Sequence, residues 1–397
     1  MITVTEATMA IQVRTRTVGS EKLPLRESVG RVLSEDITAD TDLPPFDRSQ
    51  MDGYAVIAED TRSAPARLKI VGESSAGHGW HHEMKSGEAV RIMTGAPLPL
   101  GANAVQKIEL TGETDGIVTI NESTKPAANV VFRGSEIKAG DRVFSKGERV
   151  TEQMIASMAA FGCSSVSVSV RPIVGILATG SEIVPVEETP GIDQIRNSNA
   201  PMLAALSLRC GALPREFRLA DDDLERLTGR IAEALETSDV LIITGGVSVG
   251  KYDLTKPALR CLGAEICFEK VSLKPGKPAV FATLGEKLIF GLPGNPVSAA
   301  VTFELFVRPA LLQMQGSLQP HLRSGHAVLA TPVKAAKERD TYLPVTLSTD
   351  NKGRLIANPT RWQGSSDFVG YSRAESLVVV EAGRRLEAGD VASVLFL

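Results

Sequence analysis

The sequence predicts an α/β multidomain protein: a doubly wound, mostly parallel sheet, preceded by an inserted β-rich module and followed by a small C-terminal β-barrel. Three observations carry this expectation. From residue 171 onward, apolar strand-like runs alternate with segments whose apolar residues recur every three to four positions. Residues 51–140 are instead short apolar runs broken by Gly, Pro and Asn turns, an all-β pattern. Residues 327–397 return to short strands, with turns at Asp350-Asn351-Lys352-Gly353 and Ala388-Gly389-Asp390.

In chain order, Thr3 and Glu6 have the spacing of a capping box and predict a first helix. Residues 23–40 predict a short strand, a helix and a second strand. Residues 42–50 predict irregular backbone, because Pro44 and Pro45 fix φ and remove two donors. The segment 151–162 reads as a helix that returns to the first module. Residues 171–180 predict a strand and loop, and 198–211 a helix. Leu224, Leu227, Ile231 and Leu235 mark another helix by their spacing. Further strands are predicted at DVLIITGG, FEKVSL, AVFATL and KLIFGL, and PVSAAVTFELFVRPALL predicts a long apolar helix. The expected domains are 1–45 with 141–170, an insertion at 46–140, the α/β domain at 171–318 and the barrel at 319–397.

Bulk properties narrow the function. With 397 residues, the chain is too long for one core. The net charge of −4 gives no global basic field for nucleic acid. Cys163, Cys210, Cys261 and Cys267 form no CxxC pair and predict reduced thiols. No apolar run approaches the roughly 20 residues that cross a bilayer, and the N-terminus lacks the apolar core of a signal peptide. A cytoplasmic protein, with neither membrane nor nucleic acid as partner, is expected.

The chemistry concentrates between Asp239 and Glu304, where three strand-like runs each end in a Gly-, Pro- or Lys-rich loop. Such loops at the carboxyl edge of a parallel sheet suit a phosphate-bearing ligand. In TGGVSVG, Gly245 and Gly246 permit close backbone approach and Ser248 adds a hydroxyl; the alternative is a plain strand-to-helix turn. The order is neither GxxxxGK[ST] nor GxGxxG. Asp253 either caps the next helix or faces the ligand as a carboxylate for Mg²⁺ or an attacking group. Glu182, in ATGSEI, has the same two readings. Lys270, Lys274 and Lys277 flank the proline-stiffened LKPGKP and are either solvated or point charges for an oxyanion. Asn295 and Ser298 sit where GLPGNPVS enters a helix at Pro296. In the inserted module, Asp47, Ser49, Asp52 and Thr94 suit a metal or a hydroxyl-bearing ligand, or ordinary turns. The GHGWHH run, with His78, His81 and His82, reads as a solvated loop.

FDRSQMDGYAV, RIMTGAPLP, GILATGSEI, QIRNSN, ITGGVSVGKYD, LKPGKP and GLPGNPVS occur in the order seen in the molybdopterin molybdenumtransferase family, which includes bacterial MoeA and the gephyrin E domain. The chain resembles that family over nearly its whole length. The resemblance implies a discontinuous elongated first domain, a doubly wound molybdopterin-binding domain, and a homodimer whose active cleft is shared between subunits. It implies insertion of molybdate into adenylylated molybdopterin, assisted by Mg²⁺, with release of AMP and molybdenum cofactor. A molybdopterin adenylyltransferase is the implied partner. By motif position, Asp52, Glu182, Asp253, Lys270 and Lys274 are the implied catalytic residues. Asp52, Glu182 and Asp253 would hold the metal. Thr94, Gly245, Gly246, Ser248, Lys277, Asn295, Ser298 and Ser365 would contact the pterin substrate. Glu136 and Asn103 stand where the family commonly has aspartate, and Pro344 where it has an arginine. A non-catalytic molybdopterin-binding or scaffold paralogue is the alternative function, and a nucleotide hydrolase on the same α/β fold is a third.

Overall fold

The computed structural model describes residues 1–217, 223–246, 254–360 and 364–397. The chain divides into two compact units. One comprises 1–35, 146–152 and 165–397; the other comprises 36–145 and 153–164.

In the first unit, helix α1 (Val4–Arg14) opens with the expected capping box, in which Thr3 and Glu6 each bond the other's backbone. Among the described residues, six strands form the central sheet: β1 (Ile173–Ala178), β2 (Leu213–Glu216), β3 (Val240–Thr244), β4 (Glu265–Phe268), β5 (Val280–Leu284) and β6 (Lys287–Leu292). Their spatial order is β2-β1-β3-β6-β5-β4. The first four are mutually parallel, and β5 runs antiparallel to both of its neighbours.

The sheet is covered on both faces, as a doubly wound fold requires. Val240 and Ile242 join one apolar cluster with α1 and with helix α2 (Asn199–Arg209). Leu241 and Ile243 face the opposite cluster with α3 (Leu224–Glu236) and α4 (Thr255–Cys261). The alternation follows from the two-residue period of a strand.

The long apolar helix is three pieces: α5 (Pro296–Thr302), a π-helical turn (Phe303–Val307) and α6 (Arg308–Met314). Pro309 has no N–H to return to the preceding turn, and the wider turn accommodates this. By length and composition Pro296–Met314 matches a membrane span, but 83% of that window is buried in the protein. Its apolar character is that of a core helix. All four cysteines are unbridged.

The C-terminal strands close on themselves. Strands β7 (Ser324–Leu329), β8 (Asp340–Thr349), β9 (Leu355–Pro359), β10 (Ser376–Val380) and β11 (Val391–Phe396) follow the order β8-β9-β7-β11-β10, and β10 pairs back with β8. A barrel of this kind leaves no free edge among these five strands. One outside segment joins it: Leu273–Lys274 pairs in parallel with the start of β8, Leu273 opposite Asp340 and Lys274 opposite Thr341.

The second unit is β-rich as expected. Its sheet runs, in spatial order, through Ala104–Lys107, Gly53–Val56, Glu88–Ile92, Ala66–Ser74, Ile117–Ile120 and Thr111–Thr114. Helix Glu152–Ala160 buries Met154 and Met158.

Three local expectations are corrected. No helix forms within 23–40; strand Ser20–Pro24 leads to a single 3-10 turn and then to isolated bridges, Val32 with Arg149 and Leu33 with Val168. Gly30, at φ +78°, breaks any helix there, and Val32 and Leu33 gain burial by pairing instead. Within 42–50, Arg48–Ser49 is a short strand paired with Val130–Val131. The strand expected at FEKVSL lies earlier, at Glu265–Phe268, because the prolines downstream hold the chain for its turn toward β8.

Candidate functional site

The LKPGKP segment, the loop after β6 and the barrel meet around a cavity of about 560 Å³. Lys274 and Lys277 line it, with Asn295, Ser298 and Ser365. It therefore gathers five of the residues predicted from sequence. Both lysines are exposed. Their backbone is held, because Lys274 pairs with β8 and Gly276 takes φ +115°. A Cβ on Gly276 would lie 2.6 Å from Thr302 Cγ2, so only glycine fits this turn.

Arg339 is the member that sequence reading missed. It is half-buried, lines the same cavity and donates from Nη1 to the Leu273 carbonyl at 3.4 Å. The pairing of Lys274 with the start of β8 brings it there. Pro344, five residues on, is buried in the barrel wall opposite Leu377, and its carbonyl accepts from Thr360 N at 3.1 Å. The barrel supplies a cation although Pro344 cannot. Among the described residues three cations and no acidic residue line the cavity, so its field favours an anion.

Asn295 does not cap α5. Its Nδ2 donates to Ser365 Oγ at 2.8 Å, and Val297 N donates to the Ser365 carbonyl at 3.1 Å. Ser365 thus takes up one of the N–H groups expected to be free at this helix start. A second cavity of about 600 Å³ shares Asn295 and is lined by Ile183, Ile195, Pro296 and Phe368, a more apolar surface.

Asn199, inside the QIRNSN motif, locks the sheet edge. Only 7% exposed, it donates from Nδ2 to Thr244 Oγ1 and to the Gly294 carbonyl, both at 2.8 Å. It couples the end of β3 to the GLPGN loop. Gly245 follows at φ +92°, where a Cβ would stand 2.3 Å from the Thr179 carbonyl oxygen. Gly246 lies beside the Thr179 and Thr255 hydroxyls, whose oxygens are buried without a hydrogen-bond partner among the described residues. Ser248 and Asp253 lie outside the described residues.

Glu182 and Lys270 are not among the residues lining the Lys274 cavity. Glu182 is exposed on the loop after β1, its carboxylate folded over Gly180 and its carbonyl accepting from Ile195 N at 2.8 Å. Lys270 is half-buried, and its carbonyl accepts from Ile2 N at 3.1 Å.

In the second unit, Asp52 and Thr94 form a pair of their own. Thr94 donates to Asp52 Oδ1 from its backbone N at 2.7 Å and from its hydroxyl at 3.0 Å. The backbone bond, then the hydroxyl bond, holds the Asp52 carboxyl below the usual carboxylate range. Asp47 accepts from Arg133 N at 2.8 Å, and the Ser49 hydroxyl donates to the Met51 carbonyl at 2.6 Å, so both act in turns. Asn103 Oδ1 accepts from Ala58 N at 2.8 Å, and Glu136 reaches Arg48 at 3.5 Å. His78, His81 and His82 are exposed, with Trp80 set edge-on to His82. Among the described residues no group of three or more His, Cys, Asp or Glu side chains is gathered for a metal.

A doubly wound sheet with a cationic cavity at its carboxyl edge defines an α/β protein built for a polyanionic small molecule. Residues 175–313 match a family profile described as a probable molybdopterin binding domain. Residues 2–162 match the MoeA N-terminal region, domains I and II, and 326–397 match the MoeA C-terminal region, domain IV. The molybdopterin molybdenumtransferase of Bacillus subtilis (strain 168) is 36% identical over 387 residues, covering 95% of this chain and 90% of that one. The Staphylococcus epidermidis protein of the same name is 34% identical over 399 residues, covering 99% and 95%. A solved molybdopterin biosynthesis MoeA protein from Pyrococcus horikoshii OT3 superposes with TM-score 0.87 at 29% identity and covers 100% of both chains. The chain belongs to the molybdopterin molybdenumtransferase family.

Proposed function

We propose that this chain inserts molybdate into adenylylated molybdopterin and releases AMP and molybdenum cofactor. The observation that carries the reading is the convergence of Lys274, Lys277 and Arg339 on a cavity with no acidic lining among the described residues. Molybdate and a pyrophosphate bring several negative charges together, and fixed cations lower that repulsion as the reacting groups meet. Arg339 suits bidentate contact with an oxyanion, whereas the lysines act as point charges. Asn295, Ser298 and Ser365 supply neutral hydrogen-bonding groups beside them. The adjoining, more apolar cavity suits the flat body of a pterin.

Mg²⁺ belongs to this reading. Asp52 is ionised at neutral pH, and one or two carboxylates hold Mg²⁺ when substrate phosphates complete its shell. Asp52, Glu182 and Asp253 are the proposed carboxylates. Bound Mg²⁺ would neutralise phosphate charge and polarise the leaving group. The reading further includes a four-domain division, a cytoplasmic homodimer and a molybdopterin adenylyltransferase as the supplier of substrate.

The test is molybdate-dependent AMP release from adenylylated molybdopterin by the purified chain with Mg²⁺. Release coupled to active cofactor is expected. Tight pterin binding without AMP release would overturn the catalytic reading in favour of a binding or scaffold protein. Light scattering of the purified chain tests the dimer, and a monomer would remove it.

A further inference from the structure

The first unit contains another cationic cavity, which among the described residues shares no lining residue with the Lys274 cavity. It measures about 190 Å³, and Arg149, Arg209, Arg308 and Arg323 line it together with apolar residues that include Leu397 at the chain end, and with no acidic side chain among the described residues. Part of this charge serves the fold. Arg149 donates to the Gly30 carbonyl at 3.0 Å and to the Arg209 carbonyl at 3.2 Å, and Arg308 donates to the Pro320 carbonyl at 2.6 Å. Neutral carbonyls absorb donors without cancelling charge.

The nearby carboxylate, Glu304, is 2% exposed and pairs through Oε1 with Arg209. Its Oε2 has no hydrogen-bond partner, and Arg308 Nε stands off at 3.8 Å. The carbonyl of Arg323 accepts from Phe396 N at 2.9 Å, while its guanidinium makes no hydrogen bond or ion pair among the described residues. Among the described residues one side-chain carboxylate, in contact with Arg209 and Arg308, and the chain end at Leu397 stand against four guanidinium groups, and Arg308 is largely withdrawn from water, with 19% of its side chain exposed. Like charges held this way repel, and a bound anion would offset that repulsion.

We propose that this cavity binds a small phosphate-type oxyanion, either free phosphate or the phosphoryl group of a small metabolite. Guanidinium forks match the edges of such an anion, and the volume excludes a ligand of nucleotide size. The site stands apart from the proposed transferase reaction and does not depend on it.

The experiment is calorimetric titration with inorganic phosphate at constant ionic strength, on chain carrying Lys274→Ala and Lys277→Ala to silence the first cavity. We expect one saturable site per chain. Adding Arg323→Gln should weaken it at least about 10-fold, as loss of a charge-assisted hydrogen bond does, with no change of melting temperature in chloride. Absence of a saturable site in the lysine variant, or phosphate binding unchanged by Arg323→Gln, overturns the proposal. If the lysine variant does not fold, wild type serves: two phosphates per chain are expected, with one lost in Arg323→Gln, and no loss overturns the site. Glycerol 3-phosphate separates the sources. Tighter binding than phosphate points to a phosphorylated metabolite using the apolar lining, and weaker binding to the free ion.

Discussion

The Lys274 cavity and the Arg308 cavity both concentrate positive charge, but they hold it differently. Lys274 and Lys277 stand on a turn fixed by Gly276 and by pairing with β8, and their ammonium groups remain exposed. The Arg308 group is bound into the fold through carbonyls and a buried carboxylate. Charge mounted on a rigid backbone can be removed with little harm to stability. Charge woven into side-chain contacts cannot, because its removal leaves a buried partner unpaired.

Four variants test that contrast. The largest effect is expected from Lys274→Ala combined with Arg339→Ala, which should lower the rate of AMP release about 1000-fold, since each charge-assisted bond is worth roughly 1.5–3 kcal/mol. Its melting temperature should stay near wild type; a large fall would show that this cavity also holds the fold. Next, Arg209→Ala should cost about 2–3 kcal/mol in urea unfolding at pH 8. This lies below the roughly 3–5 kcal/mol of a fully buried pair because the Arg209 side chain is 47% exposed.

That cost should depend on pH. Burial raises the Glu304 carboxyl above its usual value, against the opposing pull of Arg209 and Arg308. A raised folded-state value gives stability that is full below the ordinary glutamate range and is lost as pH rises through the raised value. Arg209→Ala removes part of the opposing pull, so its penalty should shrink toward pH 5. A penalty equal at pH 5 and pH 8 would remove Glu304 from the account.

Gly276→Ala should destabilise by about 2 kcal/mol, combining a left-handed backbone with a clash against Thr302. It should also weaken phosphate binding at the Lys274 cavity; a neutral result would show that the turn does not position the lysine. The smallest effect is expected from Thr94→Val. It removes the hydroxyl bond to Asp52 but keeps the backbone bond, so the Asp52 value should rise only part of the way to the usual carboxylate range by NMR titration. No rise would mean that the backbone bond alone sets it.

Much of this was legible in the sequence, for local reasons. The Thr3–Glu6 box, the spacing of Leu227, Ile231 and Leu235, and the apolar run at 240–244 each encode their element within a few residues. The expected helix in 23–40 failed because the competing partners of Val32 and Leu33, at Arg149 and Val168, are distant in sequence. Lys274, Lys277, Asn295 and Ser298 could be picked out because they occupy short Gly- and Pro-marked loops at strand ends. Arg339 could not, since nothing in KERDTY distinguishes it from a solvated arginine.

What the sequence alone determined was therefore the set of elements and the loops that carry ligand chemistry, because periodicity and turn residues act over a few positions. Tertiary structure decided which charges meet. Strand pairing brought Arg339 to Lys274, and packing around the π-helical turn set Arg209 and Arg308 on Glu304 and gathered them with Arg149 and Arg323 around one cavity. Charge acts through space, so a residue's electrostatic role is set by neighbours that chain order does not reveal.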